Sequence, residues 1–367
     1  MNNGMSKYLE LIRVIATFLV LISHAKEFAP AWLQSNFSEL KLGRDGVILF
    51  FVLSGYVITW CGIEKEKTLY NFATNRIARI YSVAIPGLVL GIIASLVYSY
   101  VKHEPVHYTI EKVWLYYPVF ITFNSQSWLG FISPAGNFPY WSLSYEVWYY
   151  IFISIIFFCN KYRLLVALLA ILIMGPYIAL FLPLWGLGVL LYIYKDKCST
   201  TPAVHWFIFL FTLFVFVYSK YLGIDTKLDQ YNSNLLGHLN YYLPAKQFLG
   251  DYYLALIAVI NFHSAYHLNF EFNQWVTRVV KYFASFSFSI YMYHIPILII
   301  FSCIPFYEQN SLVTYFSAIV LSLTLARLLA IHTEMKKRSL INLIDNCYAK
   351  LKGTYFYLLK NLKKKYL

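Results

Sequence analysis

Apolar runs of roughly 17 to 25 residues recur along this chain, each close to the length that carries an α-helix across a bilayer. Lipid offers no hydrogen-bond partners to the backbone, so each run must satisfy its own N–H and C=O groups as helix. The expected fold class is all-α, a polytopic transmembrane helical bundle of about ten spans. These are placed near 8–25, 46–62, 79–102, 142–159, 163–175, 178–194, 203–222, 250–266, 285–303 and 311–331. The aromatic stretch Trp114–Phe131 reads as a partial or re-entrant element. No segment resembles a soluble core: only 13% of residues are charged, against roughly 25% in soluble domains. Residues 1–335 are therefore read as one transmembrane domain and 336–367 as a basic cytoplasmic tail.

An even number of spans puts both termini on one side, and charge decides which. With the N-terminus inside, the inner segments hold Lys7, Arg76, Arg79, Lys161, Arg163, Lys195, Lys197, Arg278 and Lys281, and the tail adds nine more cations. The outer loops are longer and hold fewer. That is the positive-inside pattern, so both termini are expected to be cytoplasmic. The net charge of +13 then reflects topology and the anionic inner leaflet, not nucleic-acid binding. The first span carries charge and lacks a small-residue cleavage site, so it is read as a span and not a removable leader. Five widely spaced cysteines form no cluster, so no metal site or disulfide framework is expected.

Burying a charge in lipid costs about 3 kcal/mol or more, so the exceptions are functional candidates. They are Arg13, His24, Glu146, His294 and Arg327. Arg13 and His24 are eleven residues apart, which places them on one helix face but roughly 16 Å apart along the axis. Arg13 lies toward the cytoplasm and His24 toward the outer surface. Glu146 sits about one turn below the outer surface, on one face with Ser142. A carboxylate at that depth is expected to orient His24 and raise its basicity, as general-base chemistry on a hydroxyl requires. Ser287, Tyr291 and His294 form a polar stripe on the ninth span. Arg76 and Arg79 precede the third span with a spacing suited to gripping phosphates. Arg327 has no evident partner and is read as structural.

Arg13, ten intervening residues and His24 resemble the signature of acyltransferase family 3, membrane proteins that move acyl groups onto sugars and related acceptors. Five further segments resemble the family's pattern in order: Gly46–Tyr56, Asn75–Tyr81, Trp141–Glu146 with Tyr149 and Tyr150, Leu184–Tyr192, and Ser287–Pro296. Ile48 and Val147 stand where many members carry polar or acidic residues. The short basic tail, without a Gly-Asp-Ser motif, is similar to members that lack a fused SGNH-type domain.

The resemblance implies catalytic roles for His24, Glu146 and Arg13. It implies donor binding by Arg76, Arg79 and Arg13, and acceptor or oxyanion contacts from Ser142, Tyr291 and His294. It implies no tightly bound cofactor: acetyl-CoA, or another acyl-CoA, serves as donor substrate. The implied acceptor is a glycan of a bacterial cell surface, such as lipopolysaccharide O-antigen, capsule or exopolysaccharide, or its lipid-linked precursor. The implied setting is the bilayer of the inner membrane, with envelope-assembly proteins as partners. A ten-span bundle with buried Arg, His and Glu also suits a transporter or flippase of envelope glycans. The inverted repeats expected of a transporter are not found, since the Arg13/His24 pattern has no counterpart in the second half. An inactive scaffold for envelope assembly is a third reading.

Overall fold

A computed structural model describes residues 2–106, 112–128, 132–197, 199–236, 247–304 and 310–366, with side chains up to residue 352 except at 235 and 236. Fourteen α-helices occur among them. The first seven are α1 Asn3–His24, α2 Ala31–Leu40, α3 Leu42–Trp60, α4 Leu69–Lys102, α5 Tyr117–Ile121, α6 Trp141–Phe158 and α7 Arg163–Tyr194. They are followed by α8 Pro202–Tyr221, α9 Ile224–Leu236, α10 Phe248–Leu268, α11 Gln274–Ala284, α12 Ser287–Ser302, α13 Leu312–His332 and α14 Lys337–Tyr366. No strand occurs among the described residues. The all-α polytopic bundle expected from the sequence is what forms.

The helices that could cross can be compared with the expected ten by length and composition. Among the described residues eight helices are long and apolar enough to span a bilayer, and nine when α11 and α12 count as one span bent by 55°. The two stretches expected at 163–175 and 178–194 both lie in α7, which is interrupted at Gly175 (φ 82°, ψ 169°). Only glycine adopts such a backbone without strain. The first arm rises only about 18 Å, short of the roughly 30 Å hydrocarbon core. Gly175 lies against the Ser127 backbone, and the Trp128 indole donates to the Leu172 carbonyl at 2.9 Å. Those residues follow the short α5, which dips into the bundle, since the Tyr81 hydroxyl donates to the Ile121 carbonyl at 3.0 Å. The partial element expected near Trp114–Phe131 is thus present up to Trp128; residues 129–131 lie outside the described ones.

Contacts sort the helix ends into two levels. Asn2 donates to the Tyr266 carbonyl, and the Tyr70 hydroxyl meets Asp345 at 2.6 Å, so both termini lie at one end of the bundle. Both ends of α7 return there as well. Tyr192 reaches Glu64, Arg163 caps the Cys159 carbonyl, and Phe158 packs on Phe72 near the start of α4. This will be called the terminus end, and the opposite one, with α2 and α9, the far end. Arg327 lies over the Tyr282 and Phe286 rings at 5.1 and 5.2 Å and contacts the Met335 sulfur, consistent with a structural role.

The interior is closed by small residues and by polar links that cross between helices. Tyr8 on α1 hydrogen-bonds Asn261 on α10, which donates to Thr212 on α8 at 2.8 Å. Helices α3 and α7 touch backbone to backbone: a Cβ on Gly55 would lie 2.2 Å from the Trp185 carbonyl, and one on Gly188 would lie 2.1 Å from that of Val52. Such small-residue contacts let membrane helices pack closely. Gly55→Val is expected to lose about 1–3 kcal/mol through overpacking, read as a lower thermal midpoint of the purified protein in detergent.

Candidate active site

Three cavities lie in the bundle, and Arg13, Glu146 and His24 are distributed among their walls. The first opens near the terminus end. Arg13 from α1, Ser54 and Val57 from α3, Arg79 from α4, Ser142, Glu146 and Tyr150 from α6, and Ser287, Phe288 and Tyr291 from α12 all line it. Its open space is narrow, about 70 Å³. Two guanidiniums, Arg13 and Arg79, line this space together. Neither makes an ion pair among the described residues; Arg79 lies over the Phe288 ring at 5.9 Å. Glu146 is the carboxylate in the cavity wall, and it accepts a hydrogen bond from Tyr150 one turn on.

The other two cavities open at the far end and meet at His24. The larger, about 770 Å³, runs between the end of α1, the end of α4 and the outer half of α12, with Tyr98, Lys102, Asn137 and Leu298 in its wall. The smaller, about 300 Å³, lies under α2 and the start of α3, with Phe37, Lys41, Arg44, Trp141 and Gln247. Ser23, His24, Lys26 and Phe138 belong to both walls. Between these cavities and the first stands Tyr291, which lines the first and the smaller far-end cavity. Its hydroxyl is 2.8 Å from that of Ser142.

The imidazole of His24 is held by another imidazole. His24 Nδ1 lies 2.8 Å from His294 Nε2, with the rings stacked at 5.1 Å, and His294 Nδ1 lies 3.0 Å from the Ile290 carbonyl. This chain fixes both tautomers. A carbonyl only accepts, so His294 carries its proton on Nδ1 and its Nε2 is an acceptor. His24 must then donate from Nδ1, which leaves the lone pair of its Nε2 free. His294 is fully buried, whereas His24 is part-exposed to the two far-end cavities.

Several expected roles shift with this geometry. Glu146 was expected to orient His24; the residue bonded to His24 is His294, while Glu146 belongs to the cavity of Arg13 and Arg79. The placement by helical depth missed this because Glu146 and Ser142 face the first cavity, on the other side of Tyr291. Arg76 was expected to grip phosphates with Arg79; it instead pairs with Glu66 at 2.5 Å and packs on the Phe72 ring. Both arginines lie inside α4, which begins at Leu69, and not before it. Ser142 and Tyr291 bond each other, and His294 is buried away from any acceptor, so neither Ser142 nor His294 lines a far-end cavity.

Sequence reasoning also passed over Arg44 and Asp251. Arg44 makes a two-pronged ion pair with Asp251 and is flanked by the Trp141 and Phe181 rings at 5.2 and 5.5 Å. An aspartate in the first turn of an apolar helix was the available signal. No group of three or more potential metal ligands occurs among the described residues.

An O-acetyl transferase of Shigella phage Sf6 is 26% identical over 116 residues, 30% of this chain and 34% of that protein. The match thus spans about a third of the relative's length. No solved structure matches. The family model described as "Acyltransferase domain" matches residues 6–331, nearly the whole helical bundle with its Arg13, His24 and His294, and the chain belongs to the acyltransferase family 3 of membrane acyltransferases.

Proposed function

We propose that this protein is a membrane O-acyltransferase that takes an acetyl group from acetyl-CoA at the terminus end and places it on a glycan hydroxyl at the far end. The observation that carries this reading is the free Nε2 lone pair of His24, fixed by His294 and Ile290, at the meeting point of the two far-end cavities. The sequence similarity to a phage O-acetyl transferase supports the acetyl group and the oxygen acceptor. The excess of cations in the loops and tail of the terminus end supports a cytoplasmic placement of both termini and an inner-membrane location.

The donor enters the narrow first cavity with its thioester leading, and Arg13 and Arg79 meet its negative charge. Passing Tyr291 brings the acyl carbon to His24. His24 Nε2 accepts the proton of the acceptor hydroxyl as the oxygen attacks the carbonyl. The tetrahedral intermediate collapses, the C–S bond breaks, and the thiolate takes the proton back from His24 to leave as the CoA thiol. Tyr291, with its hydroxyl at this passage, is placed to donate to the developing oxyanion. Glu146 offsets part of the charge of Arg13 and Arg79, and His294 is a positioning residue. The acceptor is a surface glycan or its lipid-linked precursor, bound in the far-end cavities.

The test is donor-dependent acetylation of endogenous glycan in membrane vesicles from producing cells, with labelled acetyl-CoA. His294→Ala is expected to lower kcat about 10- to 100-fold, the worth of one hydrogen bond to the imidazolium that forms. His294→Gln retains an acceptor for Nδ1–H and is expected to recover much of the loss. Equal rates for wild type and His294→Ala contradict the assigned role. A transporter or scaffold shows no donor-dependent label at all.

A further inference from the structure

The loop before α6 carries two buried polar atoms without a hydrogen-bond partner among the described residues, Ser133 Oγ and Asn137 Oδ1. The two residues are only 3% and 1% exposed. Asn137 Nδ2 donates to the Gly87 carbonyl on α4 at 3.0 Å and to the Met292 carbonyl on α12 at 3.1 Å. Both partners only accept, so the amide cannot be turned over, and its Oδ1 is left as a pure acceptor. A buried polar group left unpaired costs stability, and native proteins keep few of them.

Both residues line the larger far-end cavity, together with His24. The loop lies there backbone against backbone. A Cβ on Gly91 would be 2.6 Å from the Ala135 carbonyl oxygen, and one on Gly136 (φ 64°) would be 2.5 Å from that of Gly91. Met292, which anchors Asn137, is two residues before His294 on α12. The loop and the imidazole pair are therefore tied to the same helix. The cavity volume of about 770 Å³ is that of a small-molecule site. Besides His24, its ionisable chain lining is Lys26, Glu27, Tyr98, Lys102 and Glu104, with two cations against two carboxylates. With charge balanced, selection in this cavity falls to hydrogen bonds, which a sugar ring offers through its hydroxyls.

We propose that Ser133 and Asn137 bind the acceptor sugar in the larger cavity. Asn137 Oδ1 accepts a hydrogen bond from a hydroxyl other than the one acetylated, and Ser133 Oγ pairs with a second polar group of the same sugar. This rests on the O-acyltransferase reading above.

The experiment uses the full chain in phosphatidylcholine nanodiscs, labelled acetyl-CoA, and surface glycan from producing cells stripped of its acetyl groups with mild base. It reads kcat, the KM for each substrate and the thermal midpoint. Ser133→Ala is expected to raise the KM for glycan about two- to tenfold, the worth of one hydrogen bond, with the KM for acetyl-CoA unchanged. Its midpoint is expected at or above that of wild type, because an unpaired buried hydroxyl is removed. Ser322→Ala is the control: its hydroxyl on α13 is also buried and unpartnered, and it lines none of the three cavities. It is expected to match the midpoint behaviour and to keep both KM values. Asn137→Ala loses two backbone bonds as well, so both a lower midpoint and a higher KM for glycan are expected. A wild-type KM for glycan in Ser133→Ala overturns the proposal. So does a rise confined to Asn137→Ala, which marks a displaced loop, or an equal rise for both substrates in Ser133→Ala. If wild type itself transfers no label to glycan, the transferase reading fails and takes this proposal with it.

Discussion

His24→Ala is expected to lower acetyl transfer by about 10²- to 10⁴-fold, the usual contribution of a positioned general base, while donor binding stays at its wild-type level. The separation follows from the geometry of α1. Arg13, proposed to meet the donor, lies about 16 Å from His24 along the helix axis, and the two side chains open into different cavities. Truncating His24 removes a part-exposed ring at a cavity wall, so the packing of α1 survives. His294 keeps its bond to Ile290 and turns Nε2 toward the vacated space. Vesicles with matched amounts of each variant, assayed for labelled acetyl on glycan and for CoA binding, read the two effects separately. Wild-type turnover by His24→Ala removes His24 from the chemistry.

Asp251→Ala is expected to cost about 3–5 kcal/mol, because it removes the carboxylate from a buried ion pair. Arg44 and Asp251 have side chains only 17% and 4% exposed, and two aromatic rings close over the guanidinium. The pair ties the start of α3 to the start of α10 at the far end, beside the smaller cavity. Removing both charges with apolar residues of similar volume, Arg44→Met with Asp251→Leu, is expected to restore much of the stability, since desolvation offsets most of the attraction in a buried pair. Thermal unfolding of purified protein in detergent checks both variants. A midpoint for Asp251→Ala within a degree of wild type contradicts this account.

Much of the fold was legible because lipid imposes a simple rule. Runs of apolar residues must become helices, and the boundaries near 203–222, 250–266 and 311–331 agree with α8, α10 and α13 to within two residues. At 163–175 the run is helical as well and stops at Gly175, short of a full crossing. Hydropathy marks apolar stretches but does not say where a helix turns back. At the site, the common face of Arg13 and His24 was readable from helical periodicity. The partner of His24 was not. Depth along a span placed Glu146 level with His24, but periodicity within one helix cannot say which neighbouring helix a side chain faces. The stripe of Ser287, Tyr291 and His294 held the answer: it runs from the first cavity, past the Tyr291–Ser142 contact, to His24. Its last member is the hydrogen-bond acceptor that fixes the His24 imidazole. Arg76 was readable as a cation, whereas its pairing with Glu66 depends on the turn that joins α3 to α4.

Sidedness tests the central claim most directly, since the account separates a donor end from an acceptor end with His24 between them. Inverted vesicles from producing cells expose the cytoplasmic face of the membrane. Labelled acetyl-CoA added outside them is expected to label glycan enclosed in the lumen, and right-side-out vesicles are expected to stay unlabelled until made permeable. His24→Ala vesicles are expected to show no label in either orientation. Label on glycan at the face that received the donor, or equal labelling with and without His24, would contradict the account.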